Sequence, residues 1–529
     1  MNPALEKNLI QRVAVGDIFR RRAANTPDVV ALRDYKGLGI KQLTFLELNR
    51  AMNQFASSAR QHGLKKGDSV ALLGLNSAEY VIALYGCAKA GLIAVPINPG
   101  IAPQDVVYVI NHSEAVAVVT DSLLVPFVDK VAANLPNIKT MICIPTGEEE
   151  VSSDYILFAG FLTNGDDREL TDVIIEDRDI FEILYTSGTT GKPKGVLISH
   201  LGVFISSLSA AIQCGLKPGF SSTMMLPIFH CAQQAVTLST LHVGGTVVVI
   251  RQFEPGMVMD IVEKDEVNFI FALPIMYRAM VNHPAVHDHN WENLKSCMFA
   301  MAPMDQSTLK SCIDVFKADF MLGTGQTECY PPTNIFHASQ HPDKQGNYWG
   351  KSCLVLDTAV MDERGNLLGP DEVGEIVWRG PVVMEGYFKD DEATAVSREF
   401  GWHHSGDLGS FDEDGQLLFV DRKKDMIKTG GENVASIKVE RAILSNSRVD
   451  QVAVVGLPDD RWIEAVTAFV VPVKDSGLTP EDVIANCSSK LGKFEVPKRV
   501  ILVEKLPVTS TGKVRKNILR EEYSDLEKT

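Results

Sequence analysis

Residues Tyr185–Gly195 read YTSGTTGKPKG, a run of hydroxyls with three glycines and two lysines. The apolar run at 179–184 in front of it predicts a buried strand. Glycine lets a backbone approach a ligand closely, and successive backbone N–H groups in such a turn form a nest for anions. The hydroxyls add donors and the lysines add positive charge. The pattern therefore predicts a loop that binds a polyphosphate.

This loop differs from a Walker A phosphate loop. That motif requires G-x-x-x-x-G-K followed by Ser or Thr, whose hydroxyl binds Mg²⁺. Here Pro193 follows Gly191-Lys192, and Gly188 stands too close to that pair. An ordinary surface loop is the competing interpretation, because loops in general are rich in these residue types.

The order of residues in this loop resembles the phosphate-binding signature of the adenylate-forming superfamily. That superfamily contains acyl-CoA synthetases, luciferases and the adenylation domains of peptide synthetases. Further motifs follow in the family's order along essentially the whole chain, and they imply ATP as a substrate. The residues implied to bind the nucleotide phosphates are Thr186, Ser187, Gly188, Thr189, Thr190, Gly191 and Lys194.

Length and composition set limits on the protein. A chain of 529 residues is too long for one hydrophobic core, so we expect at least two domains. A net charge of −16 argues against a nucleic-acid partner that is held by phosphate contacts. Nine scattered cysteines without a CxxC pair predict reduced thiols and a cytoplasmic location. We expect no secretory signal and no integral membrane segment, while a peripheral membrane contact and a homodimer stay open.

The hydrophobic pattern predicts an α/β protein with two domains. Short apolar strands alternate with helices, which implies a parallel sheet between layers of helices. Residues 1–420 are predicted to form a large N-terminal adenylation domain that binds ATP and the acyl substrate and includes a β-rich subdomain. Residues 421–529 are predicted to form a small, mobile α+β domain that carries the catalytic lysine.

Gln326-Thr327-Glu328 follow a predicted strand, at the position where ligands of open α/β sheets bind. Mg²⁺ prefers carboxylate, water and phosphate oxygens, and the resemblance implies that Glu328 binds Mg²⁺ and Thr327 a phosphate. The family usually carries an aromatic residue that stacks on adenine where this sequence has Thr324. Threonine cannot stack, so we expect an altered nucleotide affinity or base preference, or another side chain that supplies the face.

Other segments resemble the family's remaining nucleotide contacts. Ala302-Pro303 resembles the adenine-facing loop, with Met301 in place of a common glycine. Asp407 ends a run that resembles W-x-x-T-G-D, whose carboxylate is a bidentate acceptor suited to the ribose diol. Arg422 resembles a second ribose contact, and Asp421 resembles the hinge about which the small domain turns.

Lys513 lies in a run that resembles the family's last motif, P-x-T-x-x-G-K-x-x-K. There the lysine bridges the substrate carboxylate and the α-phosphate, where a fixed ammonium stabilises developing charge. Without the resemblance it would be read as a solvated cation. Lys428, Gly430 and Gly431 resemble the segment that lines the site of thioester formation, which implies coenzyme A as a co-substrate. Ile463 stands where glycine is usual in the CoA-side motif.

His230 follows Phe229 in a segment that resembles the acyl channel, although a lone histidine in an apolar segment is more often a core residue. Peptide-synthetase domains carry Asp here to hold an α-ammonium, so an α-amino acid is disfavoured. A mostly apolar pocket favours a medium- or long-chain fatty acid, followed by an aromatic or alicyclic acid. The expected lining is Phe229, His230, Cys231, Gln233, Gln234, Met301 and Met304.

The resemblance thus implies an AMP-forming acyl-CoA synthetase. Such an acid–thiol ligase converts a carboxylic acid, ATP and CoA into acyl-CoA, AMP and pyrophosphate through an acyl-adenylate. The expected catalytic residues are Lys513, Glu328, Thr186 and His230. The alternatives are a ligase that passes the acyl group to a carrier protein, a luciferase-like oxygenase, and a degenerate nucleotide-binding regulator.

Overall fold

The structure is a computed structural model that describes residues 3–36, 39–147, 151–186, 192–300, 304–344, 346–459, 461–508 and 514–524. The helices are α1 Pro3–Gln11, α2 Gly16–Asn25, α3 Phe45–Gln61, α4 Ala78–Ala90, α5 Pro103–His112, α6 Val125–Val131, α7 Phe158–Thr163, α8 His200–Gln213, α9 Cys231–Val243, α10 Pro255–Lys264, α11 Pro274–Val281, α12 Gln306–Phe316, α13 Asp391–Val396, α14 Ser436–Leu444, α15 Pro480–Ser488 and α16 Lys516–Glu522.

The strands follow the same order along the chain. They are β1 Val30–Lys36, β2 Gly39–Thr44, β3 Ser69–Leu73, β4 Ile93–Ile97, β5 Ala117–Asp121, β6 Thr140–Ile144, β7 Ile156–Leu157, β8 Ile180–Thr186, β9 Lys194–Ser199, β10 Ser221–Met224, β11 Thr246–Ile250, β12 Phe269–Ala272, β13 Ser296–Phe299, β14 Asp319–Thr324, β15 Asn334–His337, β16 Tyr348–Ser352, β17 Asp357–Met361, β18 Gly374–Arg379, β19 Gly386–Tyr387, β20 His403–Phe411, β21 Leu417–Arg422, β22 Ile427–Thr429, β23 Glu432–Val434, β24 Val449–Asp459, β25 Ile463–Pro472 and β26 Arg499–Leu502.

The chain forms two compact units. The first comprises Met1–Gln345, Trp349–Thr358 and Trp378–His403, and the second comprises Gly346–Tyr348, Ala359–Val377 and His404–Thr529. The second unit thus contains residues that precede the predicted boundary at Asp421. The division into 1–420 and 421–529 stays a prediction.

Two mixed sheets build the first unit. One runs β19-β9-β8-β4-β3-β5-β6-β7, with parallel pairing from β8 to β7 and antiparallel pairing of β9 with β8 and β19. The other includes β15-β14-β13-β12-β10-β11-β1-β2, parallel from β14 to β1. Helices connect the parallel strands, as crossover geometry requires. The predicted α/β class is confirmed.

Local sequence explains where these elements begin and end. Helix α3 starts at Thr44, whose hydroxyl accepts from the Glu47 N–H while the Glu47 carboxylate accepts from the Thr44 N–H. Helix α4 starts at the cap residue Ser77 and ends at Gly91, which adopts φ 68°. Glycine suits that left-handed position because it has no Cβ. Strand β3 is buried along its whole length, in agreement with its continuous apolar run.

The second unit contains an antiparallel β20–β21 hairpin and a five-stranded sheet. The order in that sheet is β23-β22-β25-β24, and β26 also pairs in parallel with β25. Helices α14, α15 and α16 accompany these strands. The apolar face of α14 packs through Val439 and Ile443 on the core that the sheet contributes. The arrangement agrees with the small α+β unit expected from the sequence.

All nine cysteines are free and buried. Burial raises the pKa of several of their thiols, for example that of Cys487 to about 11. These positions agree with the expectation of reduced thiols. Within the described ranges, no helix has the length and apolar character needed to cross a membrane.

Candidate active site

The predicted phosphate loop connects two antiparallel strands. Strand β8 ends at the half-buried Thr186, β9 begins at Lys194, and these two residues pair across the hairpin. The loop residues Ser187, Gly188, Thr189, Thr190 and Gly191 lie outside the described residues. Their phosphate contacts stay predictions, while the hairpin fixes the two ends of the loop beside each other.

Lys194 is held by two side chains that are distant in the sequence. Its Nζ lies 3.6 Å from Asp390 Oδ2 and 5.0 Å from the centroid of the Tyr387 ring. A cation over an aromatic face is attracted by the negative face of the ring. The lysine side chain is still 37% exposed, so an anion can reach it. This geometry suits the predicted phosphate-binding role.

Tyr387 also holds the carboxylate that is predicted to bind Mg²⁺. Its hydroxyl donates to Glu328 Oε1 at 3.0 Å. Burial, with the nearby Glu328 charge, raises the pKa of Tyr387 far above its usual value, so the hydroxyl stays protonated. Tyr387 therefore contacts the lysine and the carboxylate at once. Sequence reasoning missed both Tyr387 and Asp390, because no chemical pattern marks them and they lie far along the chain from the loop.

The turn after β14 carries the predicted metal and phosphate residues. The Thr324 hydroxyl donates to the Asn334 carbonyl of β15 at 3.3 Å, so this side chain bonds within the sheet. Gln326 and Glu328 are half-buried. Thr327 Oγ1 lies 3.7 Å from Cys231 Sγ, at the first residue of α9. The turn after β14 and the start of α9 thus face each other.

Residues at the start of α9 belong to the predicted lining of the acyl pocket. His230 caps this helix, because its Nδ1 accepts from the Ala232 N–H at 3.3 Å. This gives His230 a structural role beside its predicted one. Gln234 Oε1 accepts from the Tyr330 hydroxyl at 3.2 Å. Phe229 and Met304 are half-buried, whereas Met301, Ala302 and Pro303 lie outside the described residues.

In the second unit, the predicted ribose residues sit opposite each other on a hairpin. Asp407 of β20 pairs with Arg422 of β21, and Arg422 Nε lies 3.7 Å from Asp407 Oδ1. Glu375 holds the backbone of β20 next to Asp407 by accepting from the Gly406 N–H at 2.9 Å. Burial opposes ionisation of Glu375, but this N–H and the nearby His404 and Lys423 hold its pKa below the usual value. A charged carboxylate therefore fixes the strand beside Asp407.

Asp421 is buried and serves as a helix cap. Its carboxylate accepts from both the N–H and the hydroxyl of Ser436, the first residue of α14, and from the Arg422 N–H. The predicted hinge role is untested by these contacts and stays a prediction. Capping is an additional role that no sequence signal indicated, because the two residues belong to different elements.

The predicted CoA-side residues occupy the β22–β23 hairpin of the second unit. Lys428 is exposed, and its N–H donates to Glu464 Oε2 at 2.6 Å. Gly430 and Gly431 form the turn with φ of 58° and 88°, a conformation that favours glycine. Lys513 lies outside the described residues, so its role at the reacting oxygens stays a prediction.

Comparisons with known proteins agree with this arrangement. Residues 19–388 match the AMP-binding enzyme family, and residues 438–513 match the AMP-binding enzyme C-terminal domain. A feruloyl-CoA synthase from Amycolatopsis sp is 32% identical over 504 residues, which cover 95% of this chain and 98% of that protein. The long-chain-fatty-acid–CoA ligase FadD13 from Mycobacterium tuberculosis is 29% identical over 516 residues, covering 96% and 98%.

A solved structure gives the same result for the fold. ATP-bound MatB from Rhodopseudomonas palustris superposes with a TM-score of 0.87 at 25% identity, covering 97% of this chain and 100% of that one. The relatives that match along nearly the full length are named as CoA ligases or synthetases. The chain therefore belongs to the AMP-binding enzyme family, and it is an acyl-CoA ligase of the adenylate-forming superfamily.

Proposed function

We propose that this enzyme activates a carboxylic acid as an acyl-adenylate and then transfers the acyl group to CoA. The observation that carries this proposal is the contact of Tyr387 with both Lys194 and Glu328, next to the two ends of the phosphate loop. This contact brings the Lys194 ammonium and the Glu328 carboxylate together, where a polyphosphate and its bound metal ion would need them. A loop that only binds an anion has no use for the carboxylate.

In the first half-reaction, a carboxylate oxygen of the acid attacks the α-phosphorus of ATP, and the bond to the leaving pyrophosphate breaks. Lys194 and Thr186 would bind phosphate oxygens, and Lys513 would stabilise the oxygens that gain charge in the transition state. Glu328 fits Mg²⁺, because carboxylate is a preferred ligand and Tyr387 fixes one of its oxygens. When bound, Mg²⁺ would neutralise part of the phosphate charge.

In the second half-reaction, the CoA thiolate attacks the acyl carbonyl carbon, and AMP leaves with the bonding electron pair. Asp407 and Arg422 would hold the ribose through both steps, since a carboxylate suits a vicinal diol. Lys428, Gly430 and Gly431 would line the thiol approach after a movement about Asp421. The relatives named as a feruloyl-CoA synthase and a long-chain-fatty-acid–CoA ligase support CoA as the acceptor.

For the acid, we propose an aromatic or other compact acid in preference to a long hydrocarbon chain. Gln234 is fully buried near the start of α9, and its Nε2 has no hydrogen-bond partner among the described residues, so the predicted pocket is less apolar than a hydrocarbon tunnel requires. The relative named feruloyl-CoA synthase supports this choice. The medium- or long-chain fatty acid expected from the sequence is the second candidate, supported by the relative named long-chain-fatty-acid–CoA ligase.

The test measures pyrophosphate release from ATP with a panel of aromatic, alicyclic and fatty acids, with and without CoA. We expect release with the acid alone, and thioester plus AMP in equal amounts once CoA is added. Lys513→Ala should abolish adenylation, whereas Lys505→Ala, an exposed lysine earlier in the same segment, should leave it unchanged. Release without thioester would point to another acceptor, and no release with any acid would refute the proposal.

A further inference from the structure

A carboxyl group is buried in the middle of strand β8. Glu182 is fully buried, beside Ala94 of β4 on one side and Ile198 of β9 on the other. Neither carboxyl oxygen has a hydrogen-bond partner among the residues that the structure describes. Burial raises the pKa of Glu182 to about 8, so the group is mostly neutral at pH 7. Buried polar groups are almost always paired, so this exception needs an explanation.

Other polar groups face this carboxyl from neighbouring elements. Burial, followed by the nearby Glu182 carboxyl, raises the pKa of Tyr85 of α4, of Tyr330 in the turn after β14 and of the buried Tyr80. The Gln234 amide favours the ionised form of Glu182, yet the two groups do not meet hydrogen-bond geometry. In the described part of the chain, the Tyr85 hydroxyl and Gln234 Nε2 also have no partner. We call Glu182, Tyr85, Gln234 and Tyr330 the buried polar cluster.

The buried polar cluster lies about one helical turn along α9 from the contact between Cys231 and Thr327. Cys231 contacts Thr327 at 3.7 Å, and three residues further along both elements Gln234 contacts Tyr330 at 3.2 Å. A rise of about 1.5 Å per residue separates these two levels of α9 by about 4.5 Å. That distance is the length of a few carbon–carbon bonds. Gln234, a residue of the predicted acyl pocket, is thus separated from the contact with Thr327 by a distance that an acyl group can span.

The position of Tyr330 is enforced by the backbone. This residue has φ 31°, which is strained for a large side chain. Ser206 of α8 holds the strained segment by donating to the carbonyl oxygens of Tyr330 and Pro331, at 3.0 Å each. The same turn carries Thr327 and Glu328. Strain that keeps Tyr330 against Gln234 therefore links the buried polar cluster to the residues of the proposed chemistry.

We propose that Gln234 and Glu182 bind a hydroxyl group on the acyl chain, so that the enzyme prefers hydroxylated acids over the matching hydrocarbon acids. The proposal rests on the acyl-CoA synthetase function proposed above. A hydroxyl donates one hydrogen bond and accepts two, so it can accept from Gln234 Nε2 and donate to the Glu182 carbonyl oxygen. Gln233 shows the contrast, because its amide bonds to Leu226, Thr223 and Thr237 within the protein.

The test compares kcat/KM for two pairs of acids, measured as CoA-dependent pyrophosphate release. The pairs are 3-phenylpropanoic acid with its 4-hydroxyphenyl analogue, and hexanoic acid with 6-hydroxyhexanoic acid. We expect the hydroxylated member of at least one pair to be preferred by about 10-fold or more. Gln234→Met, which keeps the length and removes the donor, should reduce that preference about 10–100-fold, as expected for an unmade buried hydrogen bond.

Two further variants make the result specific. Ser239→Ala removes a buried hydroxyl of the same helix that already donates to the Ala235 carbonyl, and it should leave the preference unchanged. Tyr330→Phe removes the hydroxyl that donates to Gln234 Oε1, and it should weaken the preference for the hydroxylated acid without abolishing it. This variant replaces Gln234→Met in the test if Gln234→Met does not fold. A wild-type preference near or below one in both pairs, or a preference that survives Gln234→Met, would overturn the proposal. Failure of the proposed function is distinct, since no acid of either pair would then yield pyrophosphate.

Discussion

Replacing the buried carboxyl of Glu182 by an amide should stabilise the enzyme, and the gain should grow with pH. Glu182→Gln keeps the shape of the side chain and removes its ability to ionise. In the unfolded chain the carboxyl ionises above its ordinary pKa of 4.5, whereas in the folded chain burial keeps the proton until about pH 8. Between these values the folded state binds more protons, so stability contributed by this group falls as pH rises.

The size of the effect follows from the same two pKa values. Each unit of pKa difference corresponds to about 1.4 kcal/mol, so the penalty grows from about 1 kcal/mol at pH 5.5 to about 4 kcal/mol at pH 8. At about 2.1 cal/mol/K of unfolding entropy per residue, a cooperative unit of roughly 400 residues converts these energies into Tm gains of about 1–2 °C and about 5 °C. The tyrosines that face Glu182 have raised pKa values, so they stay neutral over this range.

The assay is thermal unfolding of wild type and Glu182→Gln across pH 5.5 to 8, without ligands. Glu292→Gln is the matched control, because Glu292 is an exposed carboxyl of the same unit, and it should shift Tm little at any pH. A Glu182→Gln difference that does not change with pH, or a variant less stable than wild type throughout, would refute the reasoning. Either result would mean that the native carboxyl is charged and well paired at neutral pH.

Three further substitutions have predictable outcomes. Tyr387→Phe removes the bond to Glu328 and should slow acid-dependent pyrophosphate release about 10–100-fold while raising the Mg²⁺ concentration required, since a hydrogen bond to a charged group is worth about 1.5–3 kcal/mol. Glu169→Ala leaves Lys89 buried without its 2.9 Å ion pair and should lower the free energy of unfolding by about 3–5 kcal/mol, measured by denaturant titration. Asp421→Ala removes the cap of α14 and should lower the stability of the second unit by about 1–2 kcal/mol.

The first two of these substitutions have a matched control on the chain. Tyr35→Phe removes a similar bond, to Asp265 at 2.9 Å, and should leave pyrophosphate release unchanged. Asp172→Ala breaks an exposed pair with Arg60 and should change stability little, in contrast to Glu169→Ala. Equal effects within either pair would contradict the role assigned. For Asp421→Ala, loss of thioester formation with full stability would favour the hinge over the cap.

The fold was largely predictable because its signals are local. Strands such as β3 are continuous apolar runs, and helices such as α3 begin at a capping residue that can be read from the sequence. The hairpin pairing of β8 with β9 was not predictable, since the phosphate loop gave no indication of strand direction. Strand β2 was also not predicted, because it is short and its apolar residues are interrupted by polar ones.

The residues of the site were predictable from the sequence only where they belong to a recognisable motif. Glu328 and Thr327 stand in such a motif, whereas Tyr387 joins them through a contact between residues 59 positions apart. The buried polar cluster was hidden for another reason. Glu182 lies inside a run that predicts a buried strand, and the sequence does not say whether a charged residue there faces solvent or the core. That orientation depends on the partner strands β4 and β9, which only the structure supplies.

The burial of all nine cysteines has a practical consequence for an enzyme whose co-substrate is a thiol. Thiol–disulfide exchange requires an accessible thiolate, and burial covers all nine thiols and raises the pKa of several of them. Oxidised CoA therefore has no surface thiol to form a mixed disulfide with. For the same reason, maleimide dyes should not label the native protein. A single cysteine introduced at an exposed position could therefore be labelled with a fluorophore without background from the native thiols.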